Sequence, residues 1–337
     1  MFSFQIHPKP HTLSTDTNAY KLMTLHNGLK LALIQDNQTE YCAINVKVAV
    51  GSNHNPIDFP GLAHFTEHAL FLGSKRFPNK SGIDSYMTEM GSTALPNAST
   101  ADNYTEYDFD WMASNDTAKF EELIDRIISM MSEPLINDLA IRKELSAVDN
   151  EFSPRKQDDS TRMNLIHKAA LMNPRHPATR FHAGNHETLV DIPEAKGLNV
   201  TVAMKEWHKF FYQPKSMNIA IVTNMSIQTV DAIVRPKLEK WENEAFSQVP
   251  KFYTEFLNDM KQYQYDYDQI SKIVRVEPSA EFSWLTIIFI IPSQTKFDKM
   301  DPLFFICNIL GRESEHSILD VLKKKGLRSR ITEIIVD

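Results

Sequence analysis

Cysteine is nearly absent from this 337-residue chain, which carries only Cys42 and Cys307. They stand far apart, each inside an apolar run, so they are expected as buried free thiols, and a disulfide framework is excluded. No apolar run reaches the roughly 20 residues that a membrane-spanning helix needs. Met1 to Pro10 lacks a basic stretch followed by an apolar core, so no secretory signal is read there and the cytoplasm is the expected compartment. Positive charge is in deficit as well. With 36 Lys and Arg against 43 Asp and Glu, the formal net charge is −7, which argues against nucleic acid and against an anionic membrane surface as partners. What remains is ordinary globular material, 42% hydrophobic and 23% charged, in a length that points to about two domains.

Against that background the run His64-Phe65-Thr66-Glu67-His68 stands out. On a helix, His64 and His68 lie one turn apart on the same face, about 6 Å along the axis, close enough to share one tetrahedral metal ion. Glu67 brings a carboxylate to the same region without having to be a ligand. Two imidazoles and a nearby carboxylate are what a hydrolytic zinc centre takes from its first helix. The order His-x-x-Glu-His inverts the more familiar His-Glu-x-x-His and is a signature of its own. Two histidines four apart also occur by chance on helix surfaces, so the surroundings matter. Pro60-Gly61 marks the helix entry, and Leu62, Ala63, Phe65, Ala69, Leu70, Phe71 and Leu72 make the helix apolar on most sides. A buried glutamate between two histidines needs partners, and a metal supplies them.

The remaining elements follow from period and punctuation. Residues 20–36 read as a hairpin about Asn27-Gly28, and Ala43 to Val50 as a strand. Ala98 to Trp111 reads as one strand, followed by a helix capped at Asn115 to Thr117 and running to Met131. Asn137-Asp138 caps the next helix, on which Glu144 and Glu151 interrupt an apolar stripe of Ile141, Leu145, Val148 and Phe152. Two carboxylates there conflict with burial. Glu151 on a metal resolves half of the conflict, and Glu144, two turns earlier, would then stand behind the site orienting a ligand. Surface pairing with Arg142, Lys143 or Arg155 is the bland alternative, which spacing alone favours for Glu144 and leaves even for Glu151. His182 and His186 are also four apart, but Gly184-Asn185 between them breaks any helix, and both are read as structural. Helices are expected over residues 200–212 and 226–241, with a strand at 218–222 between them. The charged and aromatic stretch 242–268 holds the best linker candidate. Beyond it come strands at 272–276 and 284–291, helical runs at 302–310 and 316–325, and a final strand at 334–336. Strands alternating with helices give an α+β class, a sheet covered by helices.

With the motif and the two downstream glutamates in place, the chain resembles the amino-terminal part of the M16 metallopeptidases, in the insulysin and pitrilysin branch. The wording that carries the resemblance is residues 61–75, Asn97-Ala98 through Thr100 into Tyr107-Asp108-Phe109-Asp110, and residues 144–151. Asn173 to Pro177, Gly184-Asn185 and Ser317 to Gly326 extend it. The resemblance implies one zinc ion per chain, with His64, His68 and Glu151 as ligands, Glu67 as general base and Glu144 supporting the site. It implies that the segment at Asn97, Ala98 and Thr100 is an edge strand to which a peptide substrate adds. It also implies a peptidase domain over residues 1–245, a linker at 246–268 and a partial second domain of the same kind at 269–337. The implied activity is zinc-dependent endopeptidase action on peptides or small unfolded polypeptides. The alternative is a subunit that binds zinc and peptide but needs a second half or companion chain for turnover. The chain departs from the family in three places: the 83 positions from His68 to Glu151, an insertion at Thr93 to Pro96, and the wording of Gly311 to His316.

Overall fold

Alternating apolar residues build the sheet. In the computed structural model, which describes residues 4–265, 272–279, 285–290 and 302–326, seven strands form one sheet. They are β1 (Gln5–His7), β2 (Ala19–Thr24), β3 (Lys30–Gln35), β4 (Tyr41–Val48), β5 (Asn97–Thr100), β6 (Thr105–Met112) and β7 (Met217–Thr223). Their spatial order is β1-β2-β3-β7-β4-β6-β5. All pairings are antiparallel except β3 with β7. Period-two alternation sends Leu31, Leu33, Ile44, Val46, Tyr107, Phe109, Trp111, Ile219 and Ile221 to one face, where all are buried. The Asn27-Gly28 turn closes the β2–β3 hairpin as expected, with Gly28 at φ +88°.

Helices cover that buried face. Between β4 and β5 lie α1 (Leu62–Leu70) and α2 (Gly82–Glu89). After β6 come α3 (Thr117–Ser132), α4 (Asp138–Arg155) and α5 (Asp159–Ala170). A π-helical turn at Glu187–Asp191 leads into α6 (Ile192–Ala195) and α7 (Val200–Phe211), and α8 (Ile227–Glu239) follows β7. Asp116, Asn137 and Ser226 cap α3, α4 and α8 through side-chain oxygens, so the polar residues ahead of each apolar stripe mark the true starts. The stripe of α3 buries Phe120, Leu123, Ile127 and Met131, and α4 buries Ile141, Leu145, Val148 and Phe152. α1 packs against α4, α7 and β5.

Several expectations need correction. Residues 98–111 are two strands: β5 and β6 pair through a turn in which Ala101 N donates to Tyr104 O. Asp102 and Asn103 form that turn and bond to Ser52 and Asn53, an attraction stronger than continued extension. Within the expected linker, residues 251–259 form α9 (Lys251–Asp259), whose Phe256 is buried and stacks on His54 at 4.2 Å. Phe252, Tyr253 and Phe256 share a helical face, a short period hidden among charges. Residues 272–278 and 285–290 carry no strand among the described residues, and the side chains of Leu285, Ile287 and Phe289 are exposed. The expected strand at 334–336 lies outside the described residues. Helices α10 (Pro302–Leu310) and α11 (Ile318–Lys324) form where expected. Cys42 is buried, whereas Cys307 on α10 is half-buried; both thiols are free. The described residues up to 279 form one compact unit, and those from 285 to 326 belong to a second.

Candidate metal centre

α1 is fixed at its start by polar contacts that a hydrophobic helix cannot make for itself. Asn55, fully buried, accepts from Ala63 N through Oδ1 at 2.8 Å, while its carbonyl accepts from Arg180 at 2.6 Å. The chain enters α1 through Gly61 at φ +93°, and a Cβ there would lie 2.2 Å from Gly184 Cα. Gly184 itself has φ +75°. Only a residue without a side chain permits this contact. It brings the neighbouring Ala183 carbonyl against the helix, where it accepts from His64 Nδ1 at 2.7 Å.

That bond decides the chemistry of His64. A carbonyl can only accept, so the proton sits on Nδ1 and the lone pair of Nε2 points outward. Nε2 faces Glu151 Oε2 at 3.4 Å, and His68 Nε2 faces the same oxygen at 3.3 Å. A lone pair opposite a carboxylate is repulsive unless a cation lies between them, either a proton or a metal. Donors each about 2.0–2.1 Å from a tetrahedral zinc ion stand about 3.3–3.4 Å apart. The separations therefore match the edges of a zinc tetrahedron, and they are longer than an ordinary hydrogen bond. The donor set fits zinc. His64, Glu67 and His68 offer ligand atoms all within 4.8 Å of one another and are placed to coordinate a single ion.

The charges around the site are distinct. Glu67 is 7% exposed, and burial pushes its carboxyl above the usual range, opposed by a 2.5 Å bond from Thr100 Oγ1 and by the two histidines. Glu151 is pulled down to about 2 by its contact with His64, against some burial, with help from the His64, His68 and Arg155 charges. Arg155 donates to it at 2.9 Å, so the surface pairing and the histidine contacts coexist on one carboxylate. For His64, burial pulls the imidazole down, but Glu151, Glu67 and the Ala183 carbonyl raise it overall. Glu144 stands 3.4 Å from His68 Nδ1 and 2.7 Å from Lys80 Nζ, contacts that hold its carboxyl low. Beneath Glu67, Tyr107 and Tyr212 share a buried 2.8 Å hydroxyl contact, and burial and the Glu67 charge raise both.

A model described as "Insulinase (Peptidase family M16)" matches residues 30–181, and one described as "Peptidase M16 inactive domain" matches residues 202–334. The chain belongs to the M16 peptidase family. This M16 chain is 30% identical over 311 residues to insulin-degrading enzyme of Drosophila melanogaster, covering 92% of this chain and 30% of that one. It is 32% identical over 320 residues to the A-factor-processing enzyme of Saccharomyces cerevisiae, covering 94% and 29%. Pitrilysin superposes with a TM-score of 0.71 at 21% identity over 96% of this chain and 33% of that one, a likeness of fold. The chain thus spans between 23% and 31% of the length of these and other curated relatives it matches.

The structure brings His64, Glu67, His68, Glu144 and Glu151 together from α1 and α4. Asn97, Ala98 and Thr100 lie on β5, the terminal strand of the sheet, beside α1. His186 pairs with Asp191 at 3.0 Å, and among the described residues neither His182 nor His186 belongs to a group that could hold a metal. Sequence reasoning missed the Ala183 carbonyl and Lys80. The glycine pair was the available signal for the first; nothing in the local pattern around Lys80 marks its partner.

Proposed function

We propose that this chain carries the catalytic site of a zinc-dependent endopeptidase acting on peptides or small unfolded polypeptides. The observation that carries the reading is the approach of both His64 Nε2 and His68 Nε2 to Glu151 Oε2 at the spacing of tetrahedral donors, with Glu67 grouped beside the two histidines. In this reading His64, His68 and Glu151 are the ligands and Glu67 is free for proton transfer. When bound, zinc would polarise a peptide carbonyl and lower the pKa of water at its open position. Glu67 takes the proton of the attacking water and returns it to the leaving amine, a task suited to a carboxylate that burial lifts toward neutrality. Glu144 keeps His68 oriented, with its own position held by Lys80. The free backbone edge of β5, at Asn97, Ala98 and Thr100, receives the peptide as an added strand.

The first domain, in this reading, closes near residue 245, and α9 beyond it packs back on His54 within the same compact unit. β7 lies in the middle of the sheet and α8 packs beside β3, so both belong to the same fold as the motif helix. A reducing, cytoplasmic setting agrees with two free thiols, one of them in the core. The share of its relatives that this chain spans favours a second reading, in which a second half or companion chain completes the substrate site. One experiment separates the two. The chain, loaded with one equivalent of zinc, is assayed on a quenched fluorescent peptide library beside Glu67→Gln. Cleavage by the parent and none by the variant supports the first reading. Zinc binding without cleavage by either supports the second, and equal cleavage by both refutes the role of Glu67.

A further inference from the structure

We infer that Thr100 is a positioning residue for the base: its hydroxyl fixes the Glu67 carboxylate on the strand that would receive the peptide. The inference rests on the catalytic reading of Glu67 and deepens it. Thr100 Oγ1 donates to Glu67 Oε2 at 2.5 Å across a sequence separation of 33 residues. The bond occupies one carboxylate oxygen and leaves Oε1 for the proton that the base gains and loses. A hydroxyl donating to Oε2 need not break when Oε1 is protonated, so the carboxylate keeps one orientation through both halves of the proton shuttle. The other polar groups beneath Glu67 are engaged elsewhere, since the Tyr107 and Tyr212 hydroxyls face each other at 2.8 Å.

The position of Thr100 on β5 adds a second consequence. Strand alternation puts Ala98 and Thr100 on the half-buried side of β5 and leaves Asn97 and Ser99 exposed. The register fixes Thr100 opposite Thr105, and Thr105 is anchored by its bond to Val50 O at 2.8 Å. A peptide added to the open edge of β5 would thus be referenced to the same short strand that holds the base. The offset between the reacting carbonyl and Glu67 becomes a property of β5, and small errors in that offset are costly to rate.

The test uses the full chain with zinc and the variants Thr100→Val and Thr100→Ser. Valine keeps the shape and strand preference and removes the donor; serine restores it. The expected result is a fall in kcat of about five- to tenfold for Thr100→Val, the worth of one hydrogen bond. KM, zinc stoichiometry and denaturation midpoint should stay at parental values, and Thr100→Ser should recover most of the rate. Unchanged kcat in Thr100→Val, a loss confined to KM, or an equal loss in Thr100→Ser would overturn the inference. If the chain alone does not turn over, crystal structures of parent and Thr100→Val decide: one Glu67 side-chain conformation in the first and several in the second is the expected contrast, and identical conformations overturn it. An active Glu67→Gln variant would count against the catalytic reading itself, whereas a normal Thr100→Val beside an inactive Glu67→Gln counts against the positioning role alone.

Discussion

Glu144 offers the sharpest separation between holding the metal and doing the chemistry. Its side chain is 11% exposed and lies between Lys80 Nζ at 2.7 Å and His68 Nδ1 at 3.4 Å. Hydrogen bonding to His68, with Lys80 assisting, holds its carboxyl below the usual range, so it is ionised at neutral pH. An ionised carboxylate at Nδ1 favours the tautomer that leaves the Nε2 lone pair for zinc. Glu144→Gln preserves the shape but presents an amide that can offer either an acceptor or a donor to Nδ1. Changes of this kind behind a zinc ligand cost about 10- to 100-fold in metal affinity, or about 1.4–2.7 kcal/mol. The Lys80 contact adds little to that loss, because its ammonium is largely exposed and screened by solvent. Zinc affinity is read by competition with a chromophoric chelator at pH 7.5. The catalytic rate is then followed across buffered free zinc. Saturating zinc should restore most of the rate to Glu144→Gln and none of it to Glu67→Gln. An unchanged zinc Kd in Glu144→Gln would refute the proposed support of His68.

Two further perturbations test the scaffold. His208 is 8% exposed, bonds through Nε2 to Met131 O at 2.8 Å, and is driven by burial to a pKa of about 4. Between its unfolded value near 6.5 and that folded value, the unfolded chain binds a proton that the folded chain does not, so stability falls as pH falls. From pH 6.5 to 5 the parent should lose about 1–2 kcal/mol more than His208→Gln, whose amide can still donate to Met131. Urea midpoints at the two pH values measure it, and equal slopes would sink the assignment. Gly184→Ala places a Cβ 2.8 Å from Leu189 Cδ1 and 3.1 Å from Gly61 Cα, whereas Gly197→Ala, at the same φ of +75°, meets nothing within 4 Å. Both should lose about 1–2 kcal/mol to the left-handed backbone, but only Gly184→Ala should also weaken zinc binding by shifting the Ala183 carbonyl from His64. Equal zinc affinities in the two variants would contradict that route.

Periodic and local signals were readable in the sequence. The stripes of α3 and α4, the caps at Asp116, Asn137 and Ser226, and the inverted motif on α1 each lie within a few turns of chain. What escaped was set by contacts across long separations. His64 takes its tautomer from Ala183, 119 residues away, and Glu144 meets Lys80 across 64. No spacing rule pairs such residues. Among the described residues, the strands expected at 272–276 and over 285–290 did not form for a related reason, because such patterns describe side-chain alternation and do not supply a hydrogen-bonded neighbour.

The split of residues 98–111 into β5 and β6 matters more to the site than to the fold. Had the segment stayed one strand, Thr100 would have continued away from α1. The turn at Asp102-Asn103 reverses the chain because backbone groups of Ser52 and Asn53 donate to Ala101 O and Asp102 O, each at 2.9 Å. Those same residues open the loop that runs into Asn55 and Gly61 and so launches α1. One loop therefore sets two positions at once: the angle at which His64, Glu67 and His68 leave their helix, and the register at which Thr100 meets Glu67. A change at Ser52 or Asn53 would reach His64, Glu67 and His68 together through α1 and β5. α1 and β5 are in this sense one device, built from two pieces of chain that the motif alone does not connect.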